Sequence, residues 1–240
     1  MDQVTTFTKS RAGEYGVASA IEEARESPVR IPADNDTLDG DLAIPVGAEG
    51  VVLFAHGSGS SRHSTRNKFV ARLLQRDGLA TLMMDLLTAD EESVDMVTRH
   101  LRFDIHLLAQ RLSYAIDWLQ EASETRDLRI GCFGASTGAA AALVAAAARP
   151  RAIGAVVSRG GRPDLAGEAL SRVVAPTLLI VGGDDVPVIP LNRAALEQIH
   201  TADKRLEIVP GATHLFEEPG ALEQVARLAS DWFGPRLRTD

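Results

Sequence analysis

Short apolar runs and helix-patterned segments take turns along most of this chain, and that alternation decides the class of fold before any motif is considered. Val51–Ala55 is a continuous apolar run that stops at His56-Gly57, the pattern of a strand buried on both faces. Ala80–Asp85, Arg129–Phe133, Ile153–Val157, Thr177–Val181 and Arg205–Val209 read as further strands. Between the first two, Phe69, Val70, Leu73 and Leu74 fall at helical spacing and end at Gly78, a natural C′ glycine. Ile105, Leu108, Leu112, Ala115, Ile116 and Leu119 form a stripe at i+3/i+4 intervals on a longer helix. Ala139–Ala148 predicts a helix made almost wholly of alanine, and Asn192–Ile199 and Ala221–Phe233 predict two more. Strands alternating with helices point to an α/β protein with a mostly parallel sheet covered on both faces. Val29–Ile31 and Leu38–Ile44, on either side of Asp34-Asn35-Asp36, add a β-hairpin at the entry.

Residues 1–26 are polar and poorly patterned, and are read as an N-terminal tail carrying at most a loose helix over Ala18–Arg25. Residues 29–235 contain no repeat, low-complexity block or Pro/Ser linker, and residues 27–240 are read as one α/β domain. Composition then narrows the partners. Lys and Arg number 25 against 33 Asp and Glu, a net charge of −8, where binding of nucleic acid or an anionic membrane needs a basic stripe. The one cysteine, Cys132, can form no intrachain disulfide, so a reducing compartment is the default. No apolar run approaches the ~18–20 residues of a membrane span, and the first residues lack the apolar core of a secretory signal. A cytoplasmic location is expected.

The chemistry starts at Gly134-Ala135-Ser136-Thr137-Gly138, which follows a predicted strand and opens the alanine helix. That is the setting of a G-x-S-x-G nucleophile elbow, a strained strand-to-helix turn that leaves the serine hydroxyl projecting. Small residues on either side of the serine are what such a turn demands. A serine hydroxyl is a poor nucleophile near neutral pH without a base to take its proton. In this arrangement the acid and the histidine follow the serine, each on a loop after a later strand. Gly182-Gly183-Asp184-Asp185 and Gly211-Ala212-Thr213-His214 meet both requirements. His214 is the expected base. Asp185 is the preferred acid, because the loop can turn before it points inward, with Asp184 still open. The oxyanion hole needs two backbone N–H donors: that of Thr137, and one from the loop His56-Gly57-Ser58-Gly59-Ser60-Ser61, where Ser58 is expected. His56 precedes the serine and is read as fixing that loop. Asp85, at a strand end, is read as a loop cap.

Together with Arg102-Phe103-Asp104 and Ser158-Arg159-Gly160-Gly161-Arg162-Pro163, these segments resemble the α/β-hydrolase superfamily, and within it the dienelactone hydrolase-like branch. The resemblance spans roughly residues 29–235. It implies an eight-stranded sheet with the second strand antiparallel, and a Ser136–His214–Asp185 triad that hydrolyses esters or lactones without a cofactor; that the esters are small or medium is read from the short connections named below. Dienelactone hydrolase proper uses a cysteine nucleophile. Here the elbow carries Ser136, and Cys132, four residues earlier, reads as a small core residue. Relatives of this branch also occur fused to phosphoribosyltransferase domains, for which this chain has no room. The function expected is therefore that of a serine hydrolase of carboxylesterase or lactonase type. A non-catalytic ligand-binding protein, or an acyltransferase or perhydrolase with the same triad, are the alternatives. Ala89–Leu101 and Arg159–Arg172 are too short for a large cap domain. Arg62, Arg159 and Arg162 fall on loops near the strand ends, so a carboxylate on the substrate is a further expectation, with Arg159 first among them. The remaining histidines have no metal-ligand spacing.

Overall fold

The fold is described by a computed structural model over residues 24–238. It begins with the hairpin β1 (Arg25–Ala33) and β2 (Asp36–Ile44). Then come β3 (Gly50–Ala55), α1 (Thr65–Arg76), β4 (Leu79–Met84), α2 (Ala89–Thr98) and α3 (Ile105–Glu121). The second half runs β5 (Arg129–Ala135), α4 (Thr137–Ala148), β6 (Ile153–Arg159), β7 (Thr177–Gly182), α5 (Val188–Gln198), β8 (Lys204–Val209) and α6 (Ala221–Leu237). The eight strands form one sheet in the order β1-β2-β4-β3-β5-β6-β7-β8. β2 pairs antiparallel with both its neighbours and the other pairings are parallel, so a single strand runs against the rest.

The period-2 alternation of the central strands divides the core in two. Val51, Leu53 and Ala55 of β3 face one side with α3, α4 and α5, while Val52 and Phe54 face the other with α1 and α6. The six apolar residues of the α3 stripe are all buried. The alanines of α4 let that helix lie unusually close to the sheet: a Cβ on Gly134 would stand 2.4 Å from the Ala139 Cα. Neither connection outside the strand ends holds a large cap. The one after β4 carries α2 and a 3-10 turn at Leu101–Phe103, and the one after β6 carries a 3-10 segment, Pro163–Arg172, kinked at Gly167.

Two differences from the expected elements have physical causes. The hairpin is longer than its apolar residues suggest, because β1 starts at Arg25, paired with Ile44, and reaches back into the residues assigned to the tail. Arg25 is thus strand and not helix; the rest of the loose helix and of the tail up to residue 23 lies outside the described residues. The second difference is α2, which has little apolar patterning and only Asp95 fully buried. Its ends and polar contacts hold it instead. Thr88 and Glu91 form a reciprocal capping box, with the Thr88 Oγ1 accepting from the Glu91 N–H and the Glu91 carboxylate accepting from the Thr88 N–H at 2.8 Å. The Asp95 carboxylate accepts from the Leu101 and Arg102 N–H groups and from the Arg102 guanidinium. Burial alone would raise the pKa of Asp95, but the hydrogen bonds from Arg102 and Leu101 outweigh it and hold the group below the usual carboxylate range. Arg111 then ties α3 to Ala33, Asp36 and Glu91.

Candidate active site

β5 ends at Ala135, and Ser136 turns the chain into α4 with φ 51° and ψ −120°. A non-glycine residue held there is strained by about 1–3 kcal/mol, and persists only where its surroundings fix it. Three backbone hydrogen bonds do so: the Ser136 N–H donates to the Arg159 carbonyl, and its own carbonyl accepts from the Ala139 and Arg162 N–H groups, all within 3.2 Å. Gly138 is needed on steric grounds, since a Cβ would stand 2.3 Å from the Ala55 carbonyl oxygen and 2.5 Å from that of His56. The first turn of α4 therefore presses against the end of β3.

The loops after β7 and β8 touch in the same way. A Cβ on Gly182 would stand 2.2 Å from the Ala212 carbonyl oxygen, and the Asp184 N–H donates to that oxygen at 2.9 Å. This contact leaves the Asp184 side chain exposed and turns Asp185 inward, where it is buried. The Asp185 Oδ2 lies 2.7 Å from the Nδ1 of the half-buried His214. A carboxylate in that position accepts a hydrogen bond from Nδ1–H, which keeps the proton on Nδ1 and leaves Nε2 with its lone pair. Of the two carboxylates left open by the sequence, the one in contact with His214 is Asp185.

Ser136 and His214 line a common cleft of about 240 Å³, together with Ser58, Arg66, Asn67 and Arg159. Among the described residues no hydrogen bond joins the Ser136 Oγ to His214; such contacts often tighten only around a bound substrate. Ser58 follows β3 in a turn closed by the Ser60 N–H on the Gly57 carbonyl, with Gly59 at φ 69°. Its own N–H donates to the Thr137 Oγ1 at 2.9 Å. Thr137 is the first residue of α4, where helix N–H groups have no partner within the helix. His56 fixes the loop. Its Nε2 accepts from the Leu86 N–H at 3.1 Å and its Nδ1 lies 3.0 Å from the Gly57 carbonyl, while burial lowers its pKa and keeps the ring neutral.

The three arginines part ways, and Arg159 is the last residue of β6 where the sequence placed it on a loop. The Arg62 guanidinium pairs with Asp85 and lies 3.6 Å from Asp41, and Asp85 also accepts the Arg62 N–H, so Arg62 braces its own loop and is not among the cleft-lining residues. Arg162 grips Asp164 with two hydrogen bonds of 2.9 and 2.7 Å. Among the described residues Arg159 has no carboxylate partner. It is only 7% exposed, its Nε has no hydrogen-bond partner, and its single polar side-chain contact is the Asn67 Oδ1 at 3.4 Å. Burial, reinforced by the like charge of Arg66, pulls its pKa down to about 10. Arg66 was not singled out by the sequence, where it reads as one of several polar positions on α1. Its signal is proximity: it is the second residue of a helix whose N-cap, Ser64, ends the Ser58 loop. Cys132 is fully buried, and burial pushes its thiol up to about 12. Among the described residues no cluster of His, Cys, Asp and Glu could hold a metal ion, and no helix is long and apolar enough to cross a membrane.

The strand order with its one reversed strand, the strained serine between a strand and a helix, and the acid and histidine on loops after β7 and β8 define an α/β-hydrolase fold. Within that fold the chain belongs to the dienelactone hydrolase family, whose model matches residues 38–233. It is 61% identical to the dienelactone hydrolase of Anabaena variabilis, and the two structures agree with a TM-score of 0.89 over 90% of this chain and 100% of that one. A Mycobacterium tuberculosis protein with the provisional name phosphoribosyl transferase is 52% identical over 237 residues, which are 97% of this chain and 52% of that protein. The chain thus spans about half the length of the curated relatives it matches. Est1E from Butyrivibrio proteoclasticus, 17% identical, shares the fold with a TM-score of 0.72 over 87% of this chain and 98% of its own.

Proposed function

We propose that the protein is a serine hydrolase of carboxylesterase or lactonase type, acting through an acyl-enzyme on Ser136. The observation that carries this reading is the 2.7 Å contact of Asp185 with His214 Nδ1, in a cleft shared with a serine held at φ 51°. In the proposed cycle the Ser136 Oγ attacks the ester carbonyl as His214 Nε2 takes its proton. The Thr137 and Ser58 N–H groups receive the oxyanion, and the imidazolium, stabilised by Asp185, protonates the leaving alcohol. Water then repeats the sequence and frees Ser136. A fluorophosphonate probe tests the reading, since it reacts only with an activated serine. The expected result is one adduct, mapped to Ser136 and lost in His214→Ala. Folded protein without an adduct would favour a ligand-binding role for the cleft.

The size of the cleft and the absence of a large cap suit small or medium acyl groups. A buried guanidinium that no carboxylate pairs with among the described residues, beside the nucleophile, suits an anionic group on the substrate, and a carboxylate fits the bidentate geometry of a guanidinium best. In Arg159→Gln, kcat/KM for an aryl ester bearing a free carboxylate is expected to fall about 10–100-fold relative to a neutral ester of the same size, the loss typical of a charge-assisted pair. An unchanged ratio rejects the assignment.

A further inference from the structure

The two residues expected to supply the oxyanion donors are joined to each other. Ser58 and Thr137 stand 79 positions apart in the chain, yet the Ser58 N–H donates to the Thr137 Oγ1 at 2.9 Å. We infer that the Thr137 hydroxyl is a positioning residue, one that ties the loop after β3 to the nucleophile elbow and holds the Ser58 amide beside the Thr137 amide. This role of the side chain is separate from that of the Thr137 backbone N–H and rests on the serine hydrolase reading.

Three features of the site support it. The loop Gly57–Ser60 is rich in glycine and Ser58 is exposed, so the loop has little packing of its own to fix the direction of that N–H. His56 anchors only the base of the loop, through Leu86, and Gly57 packs against the elbow, where a Cβ would stand 3.1 Å from the Ser136 Cβ. Thr137 is 3% exposed, so water does not compete for its hydroxyl, and a hydrogen bond there defines position better than one in solvent.

The chemistry of the acceptor matters as much as its place. A hydroxyl oxygen is a weaker acceptor than an oxyanion, and charge-assisted hydrogen bonds are roughly twice as strong as neutral ones. The Ser58 N–H therefore remains satisfied on Thr137 in the free protein and when a neutral carbonyl binds. As negative charge develops on the substrate oxygen, the same N–H is shared with it in a three-centre hydrogen bond, so the Thr137 oxygen still holds the amide in place. An interaction made more strongly in the transition state than in the ground state raises kcat rather than lowering KM.

Thr137→Val keeps the shape of the side chain and removes the acceptor; Thr137→Ser keeps the acceptor and removes the methyl group. The valine variant is expected to lose about 10–100-fold in kcat, less than the ~10²–10³ of a deleted oxyanion donor because the amide is displaced and not removed. KM stays within about threefold of the parent, as expected for a group that acts in the transition state, and serine restores most of kcat. Thermal melting of all three proteins controls for folding. Parental kcat in the valine variant, or a serine variant as slow as valine, overturns the inference. Fluorophosphonate labelling of the parent separates the two levels: a labelled Ser136 with parental kcat in Thr137→Val sinks the positioning role alone, whereas an unlabelled parent sinks that role and the hydrolase reading together.

Discussion

Replacing Ser136 by alanine is expected to lower ester turnover by about 10⁴–10⁶-fold while leaving the fold intact. The fold survives because everything that holds residue 136 in place is backbone. The N–H to the Arg159 carbonyl and the two hydrogen bonds accepted by the Ser136 carbonyl do not depend on the hydroxyl, and the cap of α4 does not use the serine side chain. Alanine also carries the same Cβ at φ 51°, so the backbone strain is neither relieved nor increased. The one cysteine, four residues earlier, cannot stand in for the lost nucleophile. Cys132 lies on β5 with its thiol buried and its pKa raised to about 12, a thiol without appreciable thiolate. The check is kcat with a chromogenic ester, beside a melting curve compared with that of the parent. Near-full turnover in a protein that melts normally would remove Ser136 from the mechanism.

Much of this arrangement is legible in the sequence because it depends on residues with few alternatives. The central strands are apolar on both faces and so stand out as continuous runs, and β3 to β7 lie where those runs fall, while the edge strand β8 alternates polar and apolar residues. Gly138 and Gly182 mark places where a side chain would collide with a carbonyl of another segment, so the glycine pattern carries information about loop packing. What the sequence does not disclose is how charges choose partners. Arg62 and Arg159 look equivalent as loop arginines, but Asp85 lies within reach of the first and, among the described residues, no carboxylate pairs with the second. Arg66 reaches the cleft from α1, a segment whose pattern speaks only for its buried face. α2 was missed for the same reason: its stability comes from a capping box and the Asp95 contacts, to which hydrophobic periodicity is blind. The Thr88-x-x-Glu91 spacing was the available signal. The Thr137–Ser58 hydrogen bond joins residues 79 positions apart and has no local signature at all.

Asp185→Asn is expected to cost about 10⁴-fold in kcat, the scale seen when a triad acid loses its charge but keeps its shape. As a carboxylate, Asp185 can only accept, so the proton of a neutral imidazole sits on Nδ1 and Nε2 is free to take the Ser136 proton. An asparagine in its place can turn its NH₂ towards Nδ1. The imidazole proton then moves to Nε2, where it faces the serine and blocks the transfer. The imidazolium formed during attack also loses the carboxylate that contacts it, and the neutral amide that takes its place does not restore that charge. Asp184→Asn provides the control at the adjacent position. Asp184 is exposed and its structural contact is a backbone N–H on the Ala212 carbonyl, which the substitution leaves in place, so kcat is expected to stay within about twofold. The two variants differ by one position and by the same change of atoms. A large loss confined to residue 185 ties the effect to the imidazole, because a general loss of negative charge near the cleft would slow both proteins alike. Equal and small losses would mean that His214 keeps its working tautomer without Asp185.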